Sequence, residues 1–141
     1  MRLIVDASVA TKWAVDEDGH AAAVSLVTAD HELLVPDFVF VEIGNALWKK
    51  VVRQEISKEQ AVLAATEVRI AFSDLLPTVE LAEPALMIAL ELGHPIYDCI
   101  YLAAAEEFQA RVVTADRRLL SKIAGTRFSD LAVSLDDVGT K

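Results

Sequence analysis

Leu3-Ile4-Val5-Asp6-Ala7-Ser8 carries an apolar, β-branched run that stops on an acid and passes straight into a helical pattern bearing Val9, Trp13 and Ala14. Ser8 is placed to cap that helix, and Asp6 falls at the C-terminal end of the strand. Arg111-Val112-Val113-Thr114-Ala115-Asp116 repeats the arrangement near the other end of the chain, with Leu119, Leu120 and Ile123 as the helical stripe. Between them, apolar strands alternate with helical patterns, the signature of an α/β domain with a central, mostly parallel sheet. Ligands of open parallel sheets bind beyond the C-terminal strand ends, so Asp6 and Asp116 point into one region.

The intervening elements follow from local pattern. A helix through Ala21 to Thr28 leads to Leu33-Leu34-Val35, a strand stopped by Pro36, after which Asp37 can cap a long helix reaching Arg53. That helix shows one apolar stripe at Ile43, Leu47 and Val51 and a wider one at Phe38, Val41, Trp48 and Val52, which predicts burial on two sides. Only one stripe is needed to cover the sheet, so the other predicts a homodimer or a partner helix. Glu42, Asn45 and Lys49 form a polar strip between the stripes. Ser57 and Gln60 read as a capping box for a helix bearing Val62, Ala65, Val68 and Phe72. A short strand over Leu76 to Leu81, a helix begun by Pro84 and ended by Gly93, and a break at His94-Pro95 come next. Asp98 then lies at the start of the following helix, where backbone amides favour negative charge, with Tyr101 one turn on. Tyr101 reads as a core residue or as a base-stacking group.

Length and composition fit one domain over residues 1–141. Although 54% of the residues are hydrophobic, no apolar run approaches the ~18 residues needed to span a bilayer, and the start lacks a signal-peptide pattern. The expectation is a cytoplasmic protein with no membrane partner. The single cysteine, Cys99, excludes an internal disulfide and reads as a small buried residue. A net charge of -9 argues against a general electrostatic nucleic-acid binder. Its distribution softens that objection, because Lys12, Lys49, Lys50, Arg53, Arg117 and Arg118 all follow the suspect acids closely. The clusters Asp16-Glu17-Asp18, Glu106-Glu107 and Asp136-Asp137 read as solvated surface.

Asp6, Glu42, Asp98 and Asp116 each interrupt or directly follow apolar sequence. Carboxylates so placed are paired or bound to metal, and their recurrence suggests one acidic metal-binding pocket. Phosphodiester hydrolysis needs a nucleophilic water and neutralised phosphate charge, which Mg²⁺ or Mn²⁺ held by carboxylates supplies without histidine. His20, His31 and His94 form no ligand-spaced pair and read as structural or surface residues. Asp6 and Asp98 are the first metal ligands on this reading. Glu42 binds directly or orients the water, and Asp116 acts through water. Ser8 and Thr114 cap helices, orient a carboxylate, or do both; Asn45 has a polar role beside Glu42 or stands in solvent; and Lys12 with Arg117 and Arg118 positions phosphate.

Ile4-Val5-Asp6-Ala7-Ser8 with Trp13, Val41-Glu42-Ile43-Gly44-Asn45-Ala46-Leu47, Tyr97-Asp98-Cys99-Ile100-Tyr101-Leu102-Ala103-Ala104-Ala105 and Val113-Thr114-Ala115-Asp116-Arg117-Arg118-Leu119 occur in this order along the chain. Together they resemble the PIN-domain ribonucleases, most closely the VapC-type toxins of toxin-antitoxin modules. The resemblance implies a Rossmann-like α/β/α sandwich, a Mg²⁺ or Mn²⁺ site made by Asp6, Glu42, Asp98 and Asp116, and endonucleolytic cleavage of RNA. It also implies a cognate antitoxin encoded nearby that inhibits the enzyme. Thr114 matches the hydroxyl residue usual two positions before the last acid of the family.

Other classes fit less well. A haloacid-dehalogenase-type phosphatase needs a second Asp where Ser8 stands, a receiver domain needs its mid-chain acid after a strand, and no glycine-rich phosphate loop occurs. The alternative that stays open is a non-catalytic interaction module whose acids bind a basic partner segment.

Overall fold

β1 (Arg2–Val5) lies at the centre of the sheet in a computed structural model that describes residues 1–138. Its neighbours are β2 (Glu32–Pro36) and β4 (Arg111–Thr114), with β3 (Asp74–Leu76) and β5 (Ala132–Ser134) at the edges, in the order β3-β2-β1-β4-β5. Every pairing is parallel, and the register sets Leu3 beside Leu33 and Val5 beside Val113. Leu3, Ile4 and Val5 are all fully buried, the continuous burial expected of a strand covered on both faces. Strand order runs outward one way from β1 to β3 and the other way from β4 to β5, so the chain switches direction between β1 and β4. A crevice beyond the C-terminal ends of strands at such a switch is where α/β sheets bind ligands.

Helices α1 (Ala7–Ala14), α2 (His20–Thr28), α3 (Val39–Val52), α4 (Lys58–Glu67), α5 (Thr78–Leu92), α6 (Ile96–Glu107) and α7 (Arg117–Ile123) complete the α/β architecture. α6 lies across β1, β2 and β4 and buries every side chain from Cys99 to Ala105, while α5 packs on α6. α1 contacts β4 and carries α2 and α3. No single helix among the described residues is long and apolar enough to cross a membrane.

Several local expectations hold. The Ser57–Gln60 capping box forms, with bonds of 3.0 and 2.7 Å, and Gly93 ends α5 in the left-handed conformation at φ 65°. Others fail for identifiable reasons. Ser8 does not cap α1; Asp6 does, because its carboxylate is one residue outside the helix and accepts from the amides of Ser8 and Val9. Asp37 does not cap α3 either. Its carboxylate accepts from Thr78 N and Oγ1 at 3.1 and 2.6 Å, tying the end of β2 to the start of α5. Pro84 sits inside α5, which begins at Thr78, so Leu81 is helical and the strand before it ends at Leu76. The second stripe of α3 is covered only at its start: Phe38 packs on the core, but Val41, Trp48 and Val52 are exposed, whereas Ile43 and Leu47 of the first stripe are buried.

Candidate active site at the strand ends

Asp6 leaves β1 at the switch point and is 5% exposed. Burial raises its pKa to about 6, against the opposing pull of hydrogen bonds from Ser8, Thr114 and Val9, and the charge of Asp98 raises it further. Ser8 Oγ donates to Oδ1 and Thr114 Oγ1, at the end of β4, donates to Oδ2, each at 2.5 Å. The same hydroxyls accept from the next segment: Ala115 N donates to Ser8 Oγ at 2.9 Å and Asp116 N to Thr114 Oγ1 at 3.0 Å. Both hydroxyl residues therefore orient the carboxylate, resolving the alternative left by their sequence positions.

Glu42 comes from the first turn of α3, and Tyr101 of α6 donates to its Oε1 at 2.5 Å. Burial raises the pKa of Glu42, the Tyr101 bond opposes the rise, and the charge of Asp98 adds to it. Tyr101 is a core residue, tilted against Phe38 with ring centroids 5.3 Å apart. Burial, followed by the charge and hydrogen bond of Glu42 and the charge of Asp6, drives its phenol far above the ordinary range, so the hydroxyl stays protonated and donates. Asp98, in the first turn of α6, is thus felt by both other acids while its own Oδ2 lies 2.7 Å from His94 Nε2. Burial pushes the Cys99 thiol beside it up to about 11, in keeping with an inert packing residue.

Asp116 serves mainly as the cap of α7, its Oδ1 accepting from Arg118 N and Leu119 N at 2.9 and 3.4 Å. Ser8, Lys12, Glu42 and Asn45 line one cavity of about 420 Å³ together with Glu17, Lys49, Lys50 and Arg53. Arg117 lies elsewhere, on a shallow basic hollow with Arg118, Ser121 and Lys122.

The PIN domain profile matches residues 3–125. This chain belongs to the PIN-domain family. Ribonuclease VapC3 of Pyrobaculum aerophilum is 32% identical to this PIN domain over 124 residues, which cover 86% of the chain and 95% of that protein. The crystal structure of PAE2754 from Pyrobaculum aerophilum matches with a TM-score of 0.70 and 25% identity, covering 96% of this chain and 90% of the other. VapBC2 from Rickettsia felis, solved bound to a DNA fragment from their promoter, matches in fold with a TM-score of 0.62 and 11% identity, over 95% of this chain and 98% of that one.

The carboxylates of this PIN domain suit a hard divalent ion in donor chemistry, since Asp6, Glu42 and Asp98 offer only oxygen and the charge of Asp98 disfavours ionisation of both Asp6 and Glu42. They are held apart rather than closed: among the described residues no three His, Cys, Asp or Glu side chains stand close enough together to hold one ion. Asp98 is drawn to His94 and Glu42 to Tyr101. Sequence reasoning missed two residues here. His94 reads as structural by spacing, but it precedes Asp98 by one helical turn and reaches it across the helix start. Glu17 reads as solvated surface in an acidic run, yet its carboxylate lies 2.6 Å from Lys50 Nζ and 3.6 Å from Lys12 Nζ.

Proposed function

We propose that this PIN domain is a Mg²⁺- or Mn²⁺-dependent RNA endonuclease acting in the cytoplasm as the toxin of a toxin-antitoxin pair. The observation that carries the reading is that Asp6, Glu42 and Asp98, brought from β1, α3 and α6, are near enough for the charge of Asp98 to raise the pKa of both others, so that a small inward turn of Asp98 from His94 and of Glu42 from Tyr101 would close them on an ion. Like charges gathered in a partly dry crevice make a site that a hard cation relieves. The 32% identity to Ribonuclease VapC3 supports RNA as the substrate.

Asp6, Glu42 and Asp98 hold the ion on this reading, and Asp116 assists through water. When bound, the ion neutralises phosphate charge and lowers the pKa of a water nucleophile. The chain's own contributions are positional. Ser8 and Thr114 fix both oxygens of Asp6, and Tyr101 fixes one oxygen of Glu42. Lys12, Lys49 and Arg53 present positive charge to the RNA backbone along the cavity that Glu42 and Asn45 share. Arg117 offers a further phosphate contact on the hollow beside α7.

The exposed stripe of α3 supports a protein partner. Trp48 and Val52, both 61% exposed, join Gly44, Ala61, Val62 and Ala65 around an apolar groove of about 530 Å³ between α3 and α4. An antitoxin helix or a second copy covers this groove in the proposed module, and the antitoxin inhibits by placing a basic side chain among the acids.

The test is cleavage of single-stranded RNA by the purified chain with Mg²⁺ or Mn²⁺, with chelator, and with Asp6→Asn. Cleavage that needs metal and Asp6 and leaves 5′-phosphate and 3′-hydroxyl ends is expected. Cyclic-phosphate ends, or turnover by Asp6→Asn equal to the parent, would overturn the mechanism. No cleavage under any condition would favour the interaction module.

A further inference from the structure

Lys12 of α1 and Lys50 of α3 approach each other across the cavity that contains Glu42, and one carboxylate, Glu17, sits between them. All three side chains are largely withdrawn from water, at 18%, 17% and 28% exposure, so the contact is less screened than a surface ion pair. Lys49 and Arg53 line the same cavity, and among the described residues neither has a carboxylate within ion-pair distance. The cationic lining is therefore divided: two open cations and two that already hold an anion.

We infer that Lys12 and Lys50 form a seat for an RNA phosphate beside the acid pocket, and that Glu17 closes it in the free protein by standing in for the phosphate. The inference rests on the RNA-cleaving reading above. A carboxylate and a phosphodiester offer lysine the same charge-assisted hydrogen bond, so one replaces the other at the ammonium groups with little net change in charge. The loop that carries Glu17 is held in position from its own ends. Lys12 Nζ donates to Asp18 O at 2.7 Å, His20 N donates to Glu17 O at 2.9 Å, and His20 Nδ1 lies 2.6 Å from Lys12 O. Gly19 completes the loop at φ +89°, where a Cβ would stand 3.0 Å from the stem of Lys12. None of these ties involves the Glu17 carboxylate, which leaves it able to move while the loop stays. Glu17 and Lys50 also border an adjoining cavity of about 570 Å³ that Asp16, Glu55 and Glu67 line as well, so a displaced Glu17 carboxylate turns outward to water rather than into it, and Lys50 keeps Glu55 at 3.9 Å as a second, longer partner.

Seated RNA thus exchanges a carboxylate for a phosphate. Affinity from this pair is spent on displacing Glu17, and the salt dependence of binding is shallower than four cations would give.

The experiment is equilibrium binding of a fluorescein-labelled single-stranded RNA at about 50 to 200 mM KCl with Mg²⁺, in an Asp6→Asn background that prevents turnover. Glu17→Gln should bind more tightly and steepen the plot of log affinity against log salt by about 0.7, the change for one phosphate newly neutralised. Adding Lys50→Gln should cancel most of that gain. Glu17→Asp keeps the loop's charge but shortens its reach, and should move affinity and slope in the same direction by a smaller amount; it serves as the measure if Glu17→Gln melts early. Unchanged affinity and slope in both variants, while the parent binds RNA, would overturn the seat and leave Glu17 as a tether, with the nuclease reading intact. Absence of RNA binding by the parent as well would sink that reading and the seat with it.

Discussion

Asp6 and Asp116 occupy equivalent places in the chain, each directly or nearly after a parallel strand and each capping the helix that follows. Their surroundings differ. Asp6 follows the central strand β1 and is nearly inaccessible; burial drives its pKa up to about 6 against the pull of the two hydroxyls that hold both its oxygens in place. Asp116 follows β4, is only half-buried, and spends one oxygen on amides of its own helix. Thr114 links the two, donating to Asp6 and accepting from the amide of Asp116. The contrast teaches that a strand-acid-helix segment defines a position, whereas strand order decides how deeply the acid there is buried and how its oxygens are held.

The largest expected effect separates the pair in catalysis. Asp6→Asn should lower RNA cleavage beyond the ten- to hundredfold loss typical of residues one shell out, whereas Asp116→Asn should fall within about that range. Equal losses, measured as initial rates at saturating metal, would break the comparison.

The next effect is thermodynamic. Because folding raises the pKa of Asp6 to about 6, the native state holds its proton more tightly than the unfolded chain does. The associated stability is fully present below the unfolded pKa near 4 and is lost as pH rises through about 6. With chelator at pH 8, Asp6→Asn should therefore be more stable than the parent by on the order of 2 kcal/mol, and the advantage should vanish by about pH 4. Urea melts at the two pH values measure it, and a mutant less stable at pH 8 would show that the acid is structural.

Thr114→Val sharpens the link between the two acids. It removes the donor to Asp6 Oδ2 and the acceptor for Asp116 N, and should weaken Mn²⁺ binding about tenfold, read by calorimetry, with a smaller change in overall stability. The smallest effect belongs to Asp116 as a cap. Asp116→Ala should cost about 1 kcal/mol at pH 8, the usual loss for a removed helix cap, read by urea melts. A cost of several kcal/mol would show that Asp116 holds more than the start of α7.

Much of this fold was readable from local pattern. β1 and β4 are marked by apolar runs ending near acids, and the capping box at Ser57 and the terminator at Gly93 each need only a few adjacent residues. What escaped depends on contacts across the chain. Asp37 looks like a cap until Thr78 is beside it, and Ser8 looks like one until Ala115 and Asp6 claim its hydroxyl. Pro84 suggests a helix start because its ring is tolerated there, but α5 absorbs it internally. The candidate site follows the same division. Placement of Asp6, Glu42 and Asp98 at one end of the sheet could be anticipated, but the pairing of Asp98 with His94 and of Glu17 with two lysines could not, since each exchanges a surface reading for a specific partner.

Asp6 meets Thr114 across nearly the whole chain, and β1 pairs on one side with a strand that is made more than a hundred residues later, as the separation of 108 between these two residues records. Synthesis delivers Thr114 108 residues after Asp6, and long-range strand pairing waits on both. The wiring therefore acts as a timer. For a chain that cuts RNA, as proposed, the acid pocket stays unassembled while the residues between β1 and β4 are being translated, which shields the message and the ribosome over that interval.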